Sequence, residues 1–344
     1  MTSRVVHHHQ VSEPILQIID PEAADTALKL LSSARRVLVP THQNVDADGL
    51  ATPLALMHAL KPRGIEIVPV VSDGVLPKSL TFLPGVKQAL LYGTHPLPDY
   101  DLICMLDCSD RRRLGGFYAD DPGRVEGDFP IVNIDHHVTN DKYGVVNIVV
   151  PDAPATAEIV ADLLKMWDIR LTRKIAQCLL AGIYGDTLGL RTDATRSRTM
   201  RISADLVDAG ANPTAITDAL FRLKPKSSVC LWEHALRAVE WEGALIWTEV
   251  NQETLAVCGA DPSEAEGIVN FLSGTDGSRA AAMLYQNETG YRVSMRSMSD
   301  DVDVAAIASV FGGGGHPRAA GCSVPGGPGE RNVFLHRVSD LLAQ

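Results

Sequence analysis

The chain has 344 residues, enough for two ordinary domains, and its 45% hydrophobic share supplies apolar material for two cores. A net charge of -11 excludes the extended basic footprint that duplex DNA requires, yet leaves room for a small anion held through a bound cation. No uncharged apolar run reaches the length of a membrane span and no signal-peptide core is present, so a cytoplasmic protein with no membrane partner is expected.

Residues 1–18 read as a flexible N-terminus, and the short run His7–His9 within it as a solvated tail. In "PEAADTALKLLSSA", Asp20 as N-cap and Pro21 at the first helical position predict a helix. "RRVLVPTH" predicts a strand, Ala51 to Leu60 a helix, and "IEIVPVVSD" a second strand. A helical turn or two near Val86 to Leu91 precedes a strand over Leu102 to Leu106. "PIVNI" follows as a strand and "TAEIVADLLKMWD" as an amphipathic helix. "TRKIAQCLLAGIYGDTLGLRT" is an apolar helix running into Asp186, and further helices follow with a break near Gly210 and Pro213. This alternation, with strands rich in β-branched residues, predicts a parallel sheet covered on both faces over residues 19–221. A polar, Pro-containing stretch at 222–228 reads as a linker. Residues 229–344 read as a smaller mixed α/β domain containing a hairpin.

Six cysteines (Cys104, Cys108, Cys178, Cys230, Cys258, Cys322) form no CxxC pair, and buried reduced thiols are the expectation.

Several predicted strands end in residues of metal-binding type: His42, Asp46 and Asp48 after the first, Asp107 after "LICML", and Asp135, His136 and His137 after "PIVNI". In open parallel sheets ligands gather outside the carboxyl ends of the strands, so these groups can converge. Together with Asp186 they supply imidazoles and hard oxygens, a set suited to Mn²⁺ or Mg²⁺ rather than to a thiolate zinc site. Carboxylates crowded at one edge repel unless cations compensate them, and two divalent ions are the natural compensation. A pair of such ions about 3.5–4 Å apart can ionise a water and clamp an in-line phosphoryl displacement. A metal-dependent hydrolase is the reading. Taken singly, Asp48 could instead cap a helix and Asp186 could be a loop acid.

The motifs "HQNVDAD", "LDCSD", "NIDHHVTND" and "GIYGDTLGLRT" resemble, in order and spacing, the four motifs of the DHH phosphoesterase family over roughly residues 35 to 200. "FGGGGHPRAAG" is similar to the signature of the DHH-associated domain. The resemblance implies an αβα parallel-sheet DHH domain linked to a smaller mixed-sheet domain, with the active site in the cleft between them. It implies two ions, Mn²⁺ with Mg²⁺ or Co²⁺ as alternatives: one on His42, Asp46 and Asp107, the other on Asp48, Asp107, His136 and Asp186, with Asp107 bridging. Asp135 would orient its neighbours and His137 would face the substrate. The branch it resembles acts on RNA of two to five residues and the 3′-phosphate of 3′-phosphoadenosine 5′-phosphate (pAp), in some members also on pApA or cyclic di-AMP, and the resemblance implies a homodimer. Ala51 and Thr52 stand where the family often has Gly-Ser, and Leu190 replaces a frequent Phe; neither change removes a ligand.

The glycine run Gly312, Gly313, Gly314 and Gly315 can present backbone N–H groups as an anion nest, and with His316 and Arg318 it is the predicted nucleotide contact. It lacks the Gly-Lys-Ser/Thr ending of a P-loop. Arg296 is a second candidate for a terminal phosphate, since Arg binds phosphate bidentately. Arg113 could approach the phosphate, and Asn140 either contacts substrate or caps a turn. Aromatic platforms for long single strands are sparse, which favours a short substrate. A pyrophosphatase would lack "GGGGH", and a RecJ-like exonuclease would need more chain and a more basic channel. A non-catalytic nucleotide sensor could dispense with ligands that are all present here.

Overall fold

The computed structural model describes residues 18–265, 267–299 and 301–343. The chain divides after Leu223 into two compact units. The predicted flexible N-terminus, with His7–His9, lies outside the described residues but for Ile18.

The first unit runs α1 (Pro21–Ser33), β1 (Val37–Pro40), α2 (Ala47–Leu60), β2 (Ile67–Val71), β3 (Leu90–Leu91), β4 (Leu102–Leu106), α3 (Gly116–Ala119), α4 (Gly123–Glu126), β5 (Ile131–Asp135), β6 (Val146–Val149), α5 (Thr156–Met166), α6 (Arg173–Asp186), α7 (Ser197–Asp208) and α8 (Pro213–Thr217). Its six strands form one parallel sheet in the order β3-β2-β1-β4-β5-β6. Alternation along the strands explains why they read as unbroken apolar runs. In β4, Leu102, Cys104 and Leu106 enter the core beneath α1, α2, α5 and α6, while Ile103 and Met105 pack on the other face with Leu114, Phe117 and Val125. The second face is thus covered by short helical segments rather than by a long helix.

Local chemistry places the boundaries. Asp20 caps α1, accepting from the N–H of Glu22 at 3.0 Å, as its sequence predicts. α2 begins at Ala47 rather than Ala51, because Asp46 caps it by accepting from the N–H of Gly49 at 2.9 Å. Val86–Gln88 make a single 3₁₀ turn before the edge strand β3.

The second unit runs α9 (Lys226–Arg237), β7 (Glu240–Glu242), β8 (Leu245–Val250), α10 (Gln252–Cys258), α11 (Ile268–Ser273), β9 (Ala280–Asn287), β10 (Gly290–Arg296), α12 (Val304–Ser309), β11 (Gly314–His316), β12 (Ala319–Pro325) and α13 (Pro328–Leu342). Its mixed sheet has the order β11-β12-β10-β9-β8-β7, with β8 and β9 parallel and the other pairs antiparallel. The expected hairpin is β9–β10. One sheet face packs on α12 and α13, the other on α9, α10 and α11.

Two expectations are corrected here. Lys226 to Ser228, predicted as linker, are the first turn of α9, and Pro225 stands at its N-cap position instead of interrupting the chain. Cys104, Cys108, Cys178 and Cys322 are buried thiols, but Cys230 and Cys258 form a disulfide. Packing of α9 on α10 brings their Cα atoms to 5.6 Å across a separation of 28 residues, which no local spacing reveals. Among the described residues, no helix is long and apolar enough to cross a membrane.

Candidate metal centre

The parallel order of β1, β4 and β5 sets three strand ends side by side. His42 follows β1, Asp107 follows β4, and Asp135 closes β5, with His136 and His137 next in chain. Asp186 arrives differently, as the last residue of α6. Small residues permit that approach: a Cβ on Gly182 would lie 2.5 Å from Asp48 Oδ1, and one on Gly185 would lie 2.7 Å from Ala47 Cβ.

Asp107 is at the centre. Its backbone takes a positive φ of 57°, uncommon for a non-glycine residue and tolerated best by Asp and Asn. Its Oδ2 faces His42 Nε2 at 3.5 Å, and its Oδ1 faces His136 Nε2 at 3.3 Å. His42 Nε2 also lies 3.6 Å from Asp46 Oδ1, and His136 Nε2 lies 3.4 Å from Asp186 Oδ2. Three donor sets share the Asp107 carboxylate, with the donor atoms of each within 4.8 Å of one another: His42, Asp46 and Asp107; Asp48, Asp107, His136 and Asp186; and Asp107, Asp135, His136 and His137, the last tied up by the Asp135–His137 hydrogen bond.

The separations decide what the first two sets fit. At 3.3–3.6 Å they exceed the usual hydrogen-bond range. They are close to the ligand–ligand edge of about 3.0–3.4 Å expected around a cation with bonds of about 2.1 Å. Both imidazoles are also turned correctly. His42 Nδ1 bonds to the Gln43 carbonyl at 2.9 Å and His136 Nδ1 to the Ala153 carbonyl at 3.2 Å, which leaves each Nε2 as the inward donor. The residues fit a pair of hard divalent cations.

Asp48 is fully buried and does double work. Its Oδ2 accepts from the N–H of Thr156 at 2.6 Å, and its Oδ1 accepts from the N–H of Ala157 at 3.0 Å and the Thr52 hydroxyl at 2.7 Å. It thus caps α5, a helix far along the chain, whose own N-cap residue Ala155 has no side-chain acceptor. Thr156 also donates its hydroxyl to Asp107 Oδ1 at 3.3 Å.

Asp135 is a poor ligand and a strong organiser. Its Oδ1 accepts from the His136 N–H at 2.8 Å, the His137 N–H at 3.3 Å and His137 Nδ1 at 2.7 Å; its Oδ2 accepts from Asn140 Nδ2 at 2.6 Å. Asn140, predicted as a substrate contact or a turn cap, is buried with its amide inside this network, bonded also to Asn133. Its Oδ1 also accepts from the N–H of Lys142 at 2.8 Å, so the turn-cap alternative is the one these contacts match. Asn133 shares the face of Asp135 on β5 and donates to both Asn140 Oδ1 at 2.8 Å and Asn147 Oδ1 at 2.9 Å, which fixes the Asn140 amide the right way round. The carbonyl of Arg113 accepts from the Gln43 N–H at 2.6 Å, so that residue supports the His42 loop through its backbone.

Without cations the cluster balances itself with protons. Burial opposes charge on His42, but Asp107 and Asp46 outweigh it and raise the imidazole to about 10; His136 rises to about 9 against the same burial, chiefly through Asp107. Burial and then the Asp107 charge raise Asp48 to about 7, and burial with the neighbouring carboxylates drives Asp186 well up. Asp107 is buried too, yet its two histidines hold it far below the usual carboxylate range. Each raised group stabilises the folded state below its unfolded pKa, and that contribution is lost as pH rises through the folded value. For the histidines the window runs from about 6.5 to about 10. Asp107, shifted the other way, loses its contribution only in acid. Chelator-treated protein is therefore expected to melt at falling temperature across this window, while protein with Mn²⁺ keeps a flatter profile because its ligands are already deprotonated. Parallel profiles would contradict the assignment.

Gly49 is a contact that the motif alone does not reveal. A Cβ there would lie 2.6 Å from His42 Nε2. Gly49→Ala is expected to displace the imidazole and lower turnover about 100-fold with the fold retained, since a shift of about 1 Å has that effect. A variant with wild-type kcat would show that the ring position does not matter.

In the second unit, the glycine run differs from the nest expected of it. The N–H groups of Gly312 and Gly313 bond to the Ser309 and Ala308 carbonyls at 3.1 and 3.0 Å and so close α12. Gly314 and Gly315 pair with β12, and a Cβ on Gly315 would lie 2.5 Å from the Ala319 carbonyl, which excludes larger residues there. The polar surface comes from neighbouring side chains instead. Ala319 pairs with Arg296 on one side and His316 on the other, and paired residues project to one face. Arg296 and His316 therefore flank a small methyl across about 10 Å of sheet. Arg318 donates to the Ser299 carbonyl.

Comparison with known proteins agrees with this arrangement. Residues 36–183 match the family model for the DHH family, N-terminal domain, and residues 252–344 match that for the DHHA1 domain. The chain is 31% identical over 292 residues to the bifunctional oligoribonuclease and PAP phosphatase NrnA of Thermus thermophilus, covering 84% of each protein. The Bacillus subtilis protein of the same description is 22% identical over 86% of this chain and 92% of its own length. An exopolyphosphatase-related protein from Bacteroides fragilis has the same fold, with a TM-score of 0.85 at 21% identity over 95% of this chain and 99% of that one. The chain belongs to the DHH family and carries a DHHA1 domain.

Proposed function

We propose that this protein is a two-cation phosphoesterase that hydrolyses short nucleotides: RNA of two to five residues, pApA and the 3′-phosphate of pAp, with cyclic di-AMP as a further candidate. The observation that carries the reading is Asp107, whose two carboxylate oxygens face two separate donor sets. Two relatives described as oligoribonuclease and PAP phosphatase support the choice of substrate class. Mn²⁺ is the proposed ion, because the donors are imidazoles and carboxylates.

His42, Asp46 and Asp107 would hold one cation and Asp48, Asp107, His136 and Asp186 the other. Bound there, the pair supplies Lewis-acid activation of water and compensates charge on the phosphoryl group. The chain's own residues do the rest. Asp135 accepts a hydrogen bond from the Nδ1–H of His137 and so fixes the ring with Nε2 outward; with a second proton on Nε2 the ring can donate to a phosphoryl oxygen or pass that proton to the leaving oxygen. Asn133 and Asn140 keep Asp135 in that orientation. The Arg296–Ala319–His316 row is the proposed anion-binding surface for the nucleotide, with Gly314 beside it.

The test is turnover with Mn²⁺ on pAp, pApA, cyclic di-AMP, a trinucleotide and a twenty-residue RNA. Short substrates are expected to exceed the long strand by at least about tenfold in kcat/KM; equal rates would contradict the short-substrate reading. A Cβ on Gly314 meets nothing within 4 Å, so Gly314→Ala is expected to raise KM for dinucleotides without affecting an artificial phosphoester.

A further inference from the structure

We propose that Cys230, His234 and Cys258 form a redox-controlled soft-metal site: a disulfide when oxidised, and a thiolate–imidazole site for a Zn²⁺-class cation when reduced. Cys230 and His234 lie one turn apart on α9, and Cys258 ends α10. His234 Nδ1 lies 3.9 Å from Cys230 Sγ and 3.7 Å from Cys258 Sγ, and it bonds to the Cys230 carbonyl at 2.9 Å, which aims the ring at both sulfurs. The three donor atoms fall within 4.8 Å of one another.

Exposure separates this pair from the other cysteines. Cys104, Cys108, Cys178 and Cys322 are buried thiols, whereas Cys230 and Cys258 are half-buried and His234 is exposed. Solvent-borne reductant and cation can therefore reach the pair and not the rest. The donor chemistry is also distinct from that of the first unit. Two sulfurs and an imidazole select Zn²⁺ or another soft ion, while the Asp/His cluster offers only nitrogen and oxygen. Cys230 and His234 lie between the two matched segments, 36–183 and 252–344, and Cys258 lies near the start of the second.

The chemistry balances with a small dithiol as reductant. The dithiol gives two electrons and two protons, becomes a cyclic disulfide, and leaves two protein thiols. Cation binding then releases both thiol protons. The imidazole stays neutral: the proton on Nδ1 is exchanged for one on Nε2, and the bond to the Cys230 carbonyl is replaced by the cation. The two sulfurs move apart to the edge of about 3.8 Å that bonds of about 2.3 Å require. Oxidation thus ties α9 to α10 directly, and reduction exchanges that tie for a cation.

The experiment uses the full chain and Co²⁺ as probe, because thiolate-to-cobalt charge transfer gives an absorption band that nitrogen and oxygen ligands do not. Protein reduced with dithiol, freed of it under argon and kept in excess Mn²⁺ to fill the Asp/His centre is expected to develop the band, its amplitude saturating with one thiolate-bound Co²⁺ per chain and lost on adding Zn²⁺. Oxidised protein, Cys230→Ser and Cys258→Ser are expected to lack the band, and His234→Ala to bind Co²⁺ at least tenfold more weakly. Alkylation followed by mass spectrometry is expected to label Cys230 and Cys258 only after reduction. A band that survives Cys230→Ser, a reduced wild type without one, or labelling of the pair before reduction would each overturn the proposal. Circular dichroism identifies any variant that fails to fold, and the exposed His234→Ala then carries the metal test.

Discussion

Asp107→Asn is expected to lower Mn²⁺-dependent phosphoester hydrolysis by about three orders of magnitude or more while leaving the melting profile of chelated protein cooperative. The substitution keeps size and backbone preference, which matters because the residue sits at a φ of 57° where Asn is tolerated. What it removes is the charge facing both His42 and His136, and it sets an N–H₂ donor against one of them. Asp107→Ala should be equally inactive but about 1 kcal/mol less stable, since alanine is strained in the left-handed region. The comparison separates charge from strain. A kcat within tenfold of wild type in the Asn variant would dismiss Asp107 as the shared ligand.

Asp48→Ala is expected to produce the largest loss of stability, about 2–4 kcal/mol in Mn²⁺, because it strands the N–H groups of Thr156 and Ala157 at a buried helix end. The loss should be smaller in chelator. There the buried carboxylate already opposes Asp107, which together with burial lifts it to about 7, and its removal relieves that repulsion. Denaturant unfolding with and without Mn²⁺ measures both values. Unchanged stability in both conditions would show that α5 needs no cap from Asp48.

Much of this was legible in the sequence, for a physical reason. A buried parallel strand is apolar on both faces, so a carboxylate or imidazole at its end stands out, and adjacent strand ends converge. Asp107, Asp135 and His136 were visible in that way, as was the mixed second sheet from its hairpin. What stayed hidden depends on contacts that sequence spacing does not encode. Thr156 and Ala157 reach Asp48 across more than a hundred residues, and the clue in retrospect is Ala155, a helix start with no capping side chain. For Asn140, just past the double histidine, the sequence left substrate contact and turn cap open; its cap to Lys142 and its bond to Asp135 are fixed only once Asn133 and Asn147 are in place. The glycine run invited an anion nest, but two of its N–H groups are used in ending α12. Cys230 and Cys258 lacked any motif spacing, and only helix packing joins them.

The central claim is that one shared carboxylate serves two cations and that both are needed for hydrolysis. The most direct measurement is the rate of cleavage of a labelled dinucleotide by metal-depleted protein as Mn²⁺ is returned stepwise. Activity is expected to stay near background through the first equivalent per chain and to rise with the second. Full activity in chelator, or after a single equivalent, would contradict the account.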